Sequence, residues 1–292
     1  MKPPPFEYYR PSSLEGALTL LAEREEAKPL AGGQSLIPAM NFRLAAPAML
    51  VDLNDLGELA GITAAGAGIR IGAMTRHSAV ERDRRIAERA PLLWETMPHI
   101  AHPQIRNRGT VGGSLAHADP AAELPAVMVA VEATVLLRST RGERRVPAAE
   151  FFTGLFRTAL LPGELVTAIE IPPLPPRTGW AFEEFARRHG DYALVGVAVL
   201  VTLDGGGRCE RARIALLSVG DGPVLATRAM GTLQDSDLDA SVIREAAERG
   251  ARDDIEPPSD IHASEAYRRQ LTRVLTRRAL TRAVARAREA SR

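Results

Sequence analysis

Three observations predict an α+β fold built from two domains. The chain has 292 residues, 45% of them hydrophobic and 25% charged, which is enough for two separate cores. Apolar residues recur at helical spacing in some segments and at strand spacing in others. Four prolines among residues 172–176 predict a stiff, extended segment, and we place the domain boundary there.

The part before the prolines mixes helices and strands. Ser12-Ser13-Leu14-Glu15 is a capping box, which predicts a helix beginning there. That helix has one apolar face, formed by Leu14, Ala17, Leu18 and Leu21. The patterns further along predict a short apolar segment before Ala31, a buried strand at 49–53, a hairpin of 61–65 and 69–73, a helical face of Leu93, Met97 and Ile100, a loop at 101–120, and strands at 131–137 and 165–171.

The part after the prolines reads as strands followed by helices, an order typical of an α+β domain. We predict strands at 180–185, 193–203 and 211–219, and helices at about 238–249 and 263–289. The last helix is rich in arginine, which favours a solvated basic face, with docking onto an acidic partner subunit as the alternative. The predicted domains are therefore 1–175 and 178–292.

Composition excludes several classes of function. The net charge of +1 gives no general attraction to nucleic acid. A single cysteine, Cys209, excludes an intrachain disulfide, a cysteine zinc cluster and an internally ligated iron–sulfur centre. The N-terminal residues lack the apolar region of a signal peptide, and the longest apolar run, 193–203, is too short to span a bilayer. We therefore expect a soluble cytoplasmic protein.

Two glycine-centred segments, residues 31–38 and 110–123, are the best candidates for a ligand site. Each contains a Gly pair after an apolar residue and then a small hydroxyl residue. Glycine lets the backbone approach a ligand closely and point successive N–H groups at one anion. Each segment runs toward a predicted helix, whose N-terminus favours negative charge. Two such nests in one domain suit a ligand with two phosphates, and two tight turns are the alternative.

Other motifs carry less weight. Residues 66–72 contain three glycines at the wrong spacing for a dinucleotide-binding fold, and a strand follows them, so a hairpin turn is favoured. His117 and Asp119 would hold non-haem iron only with a distant third ligand such as His189 or His262. His99 and His102 are favoured as residues of a helix end and a loop over a metal pair.

Both glycine segments resemble the hallmarks of one family, the FAD-binding medium subunits of molybdenum hydroxylases such as xanthine dehydrogenase and aerobic carbon monoxide dehydrogenase. The first hallmark is A-G-G-[QH]-S-L-[IL]-P, followed by a V-D-[IL] strand, here residues 31–38 and 51–53. The second is I-R-N-x-G-T-[VI]-G-G-[SN] and then A-x-A-D-P-x-x-[DE], here residues 105–114 and 116–123. The resemblance spans essentially the whole chain, including the Arg-Arg-His-Gly-Asp-Tyr-Ala stretch at 187–193.

The resemblance implies an FAD-binding domain of the vanillyl-alcohol-oxidase (PCMH) type, with subdomains at about 1–55 and 56–175, followed by a smaller C-terminal α+β domain with an antiparallel sheet and helices. It implies that both Gly pairs hold the FAD diphosphate through backbone N–H groups. Glu123 matches the acidic position that hydrogen-bonds the sugar-alcohol chain of FAD. Tyr192, Ile100 and Val166 match positions near the flavin ring. The expected cofactor-binding residues are Ala31, Gly32, Gly33, Gln34, Ser35, Leu36, Ile100, Thr110, Val111, Gly112, Gly113, Ser114, Asp119, Glu123, Val166 and Tyr192, with no catalytic or metal-binding residue.

The same resemblance implies a complex. A small subunit would hold two 2Fe-2S clusters, and a large subunit would hold molybdopterin. The three chains would assemble as a dimer of heterotrimers, in which this chain passes electrons through FAD to an external acceptor. Gln34 stands where carbon monoxide dehydrogenases usually have His, so we expect a complex acting on N-heterocycles or aldehydes. The single cysteine excludes the benzoyl-CoA-reductase branch, which carries an extra cluster. The alternatives are a standalone FAD oxidase, a metal oxygenase using His117 and Asp119, and a scaffold that binds nothing.

Overall fold

A computed structural model describes residues 1–291. The N-terminal segment forms a three-stranded parallel sheet in the order β1-β3-β2. Its apolar helix face packs on this sheet in a small core of its own. The elements are β1 (Glu7–Tyr9), α1 (Leu14–Glu23), β2 (Ala27–Leu30), α2 (Leu36–Asn41) and β3 (Met49–Asp52).

The next segment forms a five-stranded antiparallel sheet in the order β4-β5-β10-β6-β7, with most of its helices between β5 and β6. Two 3-10 turns lie at Gly57–Leu59 and Met97–His99. The elements are β4 (Ile62–Ala65), β5 (Gly68–Gly72), α3 (His77–Arg82), α4 (Arg84–Arg89), α5 (Pro91–Thr96), α6 (Pro103–Arg106), α7 (Val111–His117), α8 (Glu123–Ala130), β6 (Thr134–Ser139), β7 (Gly142–Pro147), α9 (Ala148–Phe151), β8 (Phe152–Gly154), β9 (Arg157–Thr158) and β10 (Leu165–Ile171).

The last segment is a four-stranded antiparallel sheet in the order β11-β12-β13-β14, covered by helices. All eleven residues of its central strand are buried, because α12 covers one face and α5 and α8 pack against the other. This two-sided burial explains the continuous apolar run at 193–203. The elements are β11 (Thr178–Ala186), β12 (Ala193–Leu203), β13 (Cys209–Leu217), β14 (Val224–Leu225), α10 (Thr227–Leu233), α11 (Ala240–Asp253) and α12 (Glu265–Glu289). Within residues 1–291, no helix combines the length and apolarity needed to cross a bilayer.

The structure corrects three predictions about local elements. Residues 101–120 are not a loop, because α6 and α7 lie there. The helix α1 begins after Ser13, whose hydroxyl accepts from the Gly16 N–H at 3.1 Å, so the Ser12–Glu15 capping box is wrong by one residue. The strand predicted at 131–137 begins only at Thr134, since the preceding residues end the helix α8.

The arginine-rich helix α12 is also less solvated than expected. Arg268 is only 4% exposed; its guanidinium donates to Asp260 at 2.7 Å and to the Leu194 carbonyl at 2.5 Å. Arg282 and Arg286 both bind Glu95 on α5, at 2.7 and 2.5 Å. These three arginines therefore fasten α12 to the rest of the chain.

Candidate functional site

The first glycine segment links the end of β2 to the start of α2. Gly33 has φ of +72°, a conformation that glycine adopts without a steric penalty. Within the described chain, the five N–H groups from Gly32 to Leu36 donate to no protein acceptor. Five successive unpaired donors at a helix start form a ready binding site for an anion.

The second glycine segment lies directly against the first. A Cβ placed on Gly32 would lie 2.2 Å from the carbonyl oxygen of Arg108, and one placed on Gly113 would lie 3.4 Å from the Ala31 side chain. Position 32 must therefore be glycine, because any side chain there would keep the two backbones apart. The fold thus brings together the two motifs, which are about eighty positions apart in the sequence.

The two segments differ in their hydrogen bonding, and the expectation that both Gly pairs hold the FAD diphosphate stays a prediction. Thr110 caps α7, and its hydroxyl accepts from the Gly113 N–H at 3.1 Å. The N–H groups of Val111 and Gly112 donate to carbonyls of Thr75 and Ala73, at 3.1 and 2.8 Å. Gly112 is buried, and a Cβ on it would meet Ala73 at 2.5 Å. Gly112 therefore lets α7 pack closely against Ala73, the residue that follows β5.

A cavity of about 340 Å³ opens beside the first segment. Its walls include Arg108, Asn54 and the buried Asp52. Burial would raise the pKa of Asp52, but hydrogen bonds from Tyr8 and Asn54 outweigh it and hold that pKa below its ordinary value. Arg76 lies behind two of these wall residues, where its guanidinium group donates to the Asn54 side chain and, at 3.1 Å, to the Arg108 carbonyl. The two guanidinium groups add positive charge beside the unpaired N–H groups, which favours a phosphate ligand.

Glu123 is the first residue of α8 and is only 8% exposed. Within residues 1–291, its carboxyl group bonds its own backbone N–H and no other residue. Burial, together with the charge of Asp119, raises the pKa of Glu123 to about 7. A buried carboxyl group with a single hydrogen bond is costly, so this position suits a ligand that supplies further hydrogen bonds.

Glu184, which the sequence analysis missed, lies next to Glu123. It is on β11, where Trp180, Phe182 and Glu184 share the face that packs toward the first half of the chain. Its Oε2 atom is buried and has no hydrogen-bond partner within the described residues. Burial and the charge of Glu123 raise the pKa of Glu184 to about 8. The sequence signal was a carboxylate on the inward face of an alternating strand, and it becomes visible only once the sheet's packing is known.

The other residues expected near the flavin differ in how far they are buried. Ile100 and Val166 are nearly buried, at 7% and 6% exposed, and only their edges can line a pocket. Tyr192 is largely exposed; partial burial of its hydroxyl and the charges of Asp119 and Glu123 raise its pKa. Asp119 accepts from the Ala121 N–H at 2.9 Å and shapes the turn before α8.

The Gln34 side chain folds back onto its own turn, where its Nε2 donates to the Gly32 carbonyl at 3.1 Å. Ser35 precedes α2 without capping it, so its hydroxyl remains available beside the free N–H groups. Leu36 begins that helix. Ser114 lies half-buried in the first turns of α7, where its N–H donates to the Thr110 carbonyl at 3.0 Å.

The described part of the chain does not bring together the ligands that an iron site at His117 and Asp119 would need. Residues 1–291 contain no cluster of three or more His, Cys, Asp or Glu side chains able to hold a metal ion. The His117 ring instead packs on Phe156, with ring centroids 5.2 Å apart. A second cavity, of about 140 Å³, lies at the proline segment, away from the glycine segments.

Comparison with known proteins places these features in a family. Residues 4–174 match the family described as the FAD binding domain in molybdopterin dehydrogenase, and residues 180–283 match the CO dehydrogenase flavoprotein C-terminal domain. The chain is 47% identical over 289 residues to the 6-hydroxypseudooxynicotine dehydrogenase complex subunit alpha of Paenarthrobacter nicotinovorans, covering 99% of this chain and 97% of that one. It is 42% identical to the carbon monoxide dehydrogenase medium chain of Afipia carboxidovorans, with 98% and 99% covered.

A solved structure shows the same fold. Carbon monoxide dehydrogenase from Hydrogenophaga pseudoflava, in a form lacking the Mo-pyranopterin moiety of its cofactor, superposes with a TM-score of 0.95 at 39% identity, covering 98% of this chain and 99% of that chain. Sequence, fold and the paired glycine segments agree. The chain therefore belongs to the family of FAD-binding subunits of molybdopterin dehydrogenases.

Proposed function

We propose that this chain holds FAD across the two glycine segments and passes electrons from the 2Fe-2S clusters of a small subunit to an external acceptor. The observation that carries the proposal is the row of five unpaired N–H groups at Gly32 to Leu36, together with the buried carboxyl group of Glu123, which bonds no other residue of the described chain. The first feature suits a diphosphate and the second suits a polyol chain. When bound, FAD supplies the exchange of electrons one or two at a time.

The residues of this chain have separate parts in that proposal. The N–H groups from Gly32 to Leu36 hold the diphosphate, and the guanidinium groups of Arg76 and Arg108 offset its charge. Glu123 binds the sugar-alcohol chain. Ile100, Val166 and Tyr192 flank the ring, which leaves one face of it near the surface. Thr110, Val111 and Gly113 place α7 against the first segment, and Gly112 lets α7 approach β5.

The partners follow from the family. Relatives bear names such as medium chain and complex subunit, so the chain belongs with proteins that work in multi-subunit complexes. We propose a small 2Fe-2S subunit and a large molybdopterin subunit as partners, in a dimer of heterotrimers. Domain boundaries at 1–175 and 178–292, and a cytoplasmic location, stay predictions. So does a complex that acts on N-heterocycles or aldehydes, which rests on Gln34.

The test uses the full chain reconstituted with FAD. We expect dithionite to reduce the bound flavin and an artificial acceptor to reoxidise it. We expect no hydroxylation of a heterocycle or aldehyde until both partner subunits are added, with the product oxygen then derived from isotopically labelled water. Robust turnover by the chain alone would overturn the subunit proposal and support the standalone FAD oxidase.

A further inference from the structure

The structure assigns Glu184 to the FAD site: we propose that its carboxyl group binds the cofactor in the protonated form and donates a hydrogen bond to it from Oε2. The inference deepens the proposed function and rests on it. Neither glycine motif includes this residue, which belongs to the C-terminal sheet. The C-terminal part of the chain would then contribute directly to cofactor binding.

The alternation of β11 places Glu184 on the face that packs toward the first half of the chain. Along β11 the side chains alternate, so that Glu183 points toward α12, where it binds Arg282. Trp180 and Phe182 are on the other face and pack against the core of the first half of the chain. Phe182 contacts the ring of His99, with ring centroids 5.1 Å apart. His99 directly precedes Ile100, one of the residues expected near the flavin ring. Glu184 follows on that face and points to the same region.

The carboxyl group of Glu184 lacks a hydrogen-bond partner. Its Oε2 atom is shielded from solvent and has no hydrogen-bond donor or acceptor among residues 1–291. The neighbouring Glu123 is 8% exposed, and its carboxyl group bonds only its own backbone N–H. Buried polar atoms in folded proteins nearly always have a partner, so the unpartnered Oε2 beside a second buried carboxyl group indicates a polar ligand there.

The charges near Glu184 favour its protonated form. The ionisable groups that act on Glu123 and Glu184, besides each other, are Asp119 and Tyr192, and neither carries a positive charge that could pair with Glu184. Two adjacent buried carboxylates repel one another, so one of them takes up a proton. The pKa of Glu184, raised to about 8 by burial and by Glu123, makes it the group that stays neutral at pH 7. A neutral carboxyl group can donate a hydrogen bond, which a carboxylate cannot.

The test measures FAD affinity of the full chain from pH 6 to pH 9, by flavin fluorescence. If Glu184 must be protonated, the wild-type dissociation constant should rise about tenfold between pH 7 and pH 9, because deprotonation competes with binding. Glu184→Gln keeps the shape and a donor, so it should lack the tenfold loss of affinity between pH 7 and pH 9 that deprotonation of Glu184 causes in the wild type. Glu184→Leu removes the donor and should bind FAD at least about tenfold more weakly at every pH.

The matched control is Glu183→Gln, the neighbouring position on the opposite face, which should follow the wild-type pH profile. Circular dichroism of each variant checks that the fold is retained. Equal affinity of Glu184→Leu and wild type, or a wild-type pH profile in Glu184→Gln, would overturn the inference while leaving the flavin site in place. A wild-type chain that binds no FAD at any pH would instead overturn the proposed function, and this inference with it.

Discussion

Gly33 and Gly66 share a backbone conformation but not a role, which allows the function of Gly33 to be tested at the residue scale. Their φ angles are +72° and +58°. Valine at either position would strain the backbone by roughly 1–3 kcal/mol. At Gly66 the added side chain meets open space, whereas at Gly33 its Cβ would lie 3.1 Å from the Ile37 side chain. The backbone at Gly33 would therefore have to move, and the free N–H groups beside it would move as well. We expect Gly33→Val to lose FAD.

The control is Gly66→Val, which should lower the free energy of unfolding by a similar amount and keep its flavin. Equilibrium dialysis gives the stoichiometry of FAD, and urea denaturation gives the stability. Stoichiometric flavin in a folded Gly33→Val chain would contradict the assignment of the first segment to the diphosphate.

The residues of the site differ in how far the sequence could predict them. Gly33 was predictable because a glycine pair before a helix has a local physical meaning. Glu123 was predictable only through the family motif, since nothing local marks it as buried. Glu184 was not predictable, because its burial depends on which face of β11 meets the first half of the chain. Long-range packing, unlike turn chemistry, leaves no short pattern in the sequence.

At the scale of elements, the regular strands were predicted well and the short helices were not. The strands at 165–171 and 193–203 match β10 and β12 residue for residue. The helix α7 was missed because two glycines and a histidine make its seven residues poor helix formers. Its stability comes from outside, through the Thr110 cap and the bonds to the carbonyls of Thr75 and Ala73. Tertiary contacts thus override the local propensity.

That dependence predicts the effect of removing the cap of α7. Thr110→Val keeps the side-chain volume but removes the acceptor for the Gly113 N–H, and it should cost about 1 kcal/mol of stability. Since Gly113 lies against Ala31, the shift of the first turn should also weaken FAD binding. Thermal denaturation and FAD titration measure the two effects.

Ser264→Ala is the matched control, because the Ser264 hydroxyl caps α12 in the same way, accepting from the Tyr267 N–H at 3.2 Å, but supports the core of the C-terminal sheet, which includes no residue of the glycine segments. It should lose similar stability and bind FAD normally. If the two variants lose FAD affinity equally, the loss in Thr110→Val comes from lower stability of the whole fold, and the proposal that Thr110 positions the FAD site is wrong.

At the scale of the whole molecule, one apolar core connects the two halves of the chain. The largest buried cluster includes β5, β6, α5 and α8 from the first half and Phe182, Ala198 and Leu217 from the second. Glu95 adds an ionic link, with bonds to Arg282 and Arg286. The proline segment therefore joins halves that are already packed together. The Glu123–Glu184 pair lies at this junction, so its ionisation should affect the stability of the entire fold.

The direction of that effect follows from the raised pKa values. Glu123 and Glu184 have pKa values of about 7 and about 8 in the folded chain, above the ordinary value of 4.5. The folded state therefore binds more protons than the unfolded state between pH 4.5 and 8. The stability that these groups contribute is complete below pH 4.5 and is lost as the pH rises through 7 and 8. His77 acts in the opposite direction, because burial lowers its pKa to about 4 and its contribution is lost as the pH falls below 6.5.

A comparison of variants isolates the carboxyl groups. We expect the free energy of unfolding of the FAD-free wild type to fall, relative to the double variant Glu123→Gln with Glu184→Gln, as the pH rises from 5 to 8. The limiting slope is about 1.4 kcal/mol per pH unit for each proton. Urea denaturation at unit pH intervals measures this difference, and the contribution of His77 cancels because both chains retain it. Glu183→Gln should show no such divergence from wild type. Parallel pH profiles of the wild type and the double variant would mean that the two carboxyl groups titrate normally, and that the junction contains no buried acidic pair.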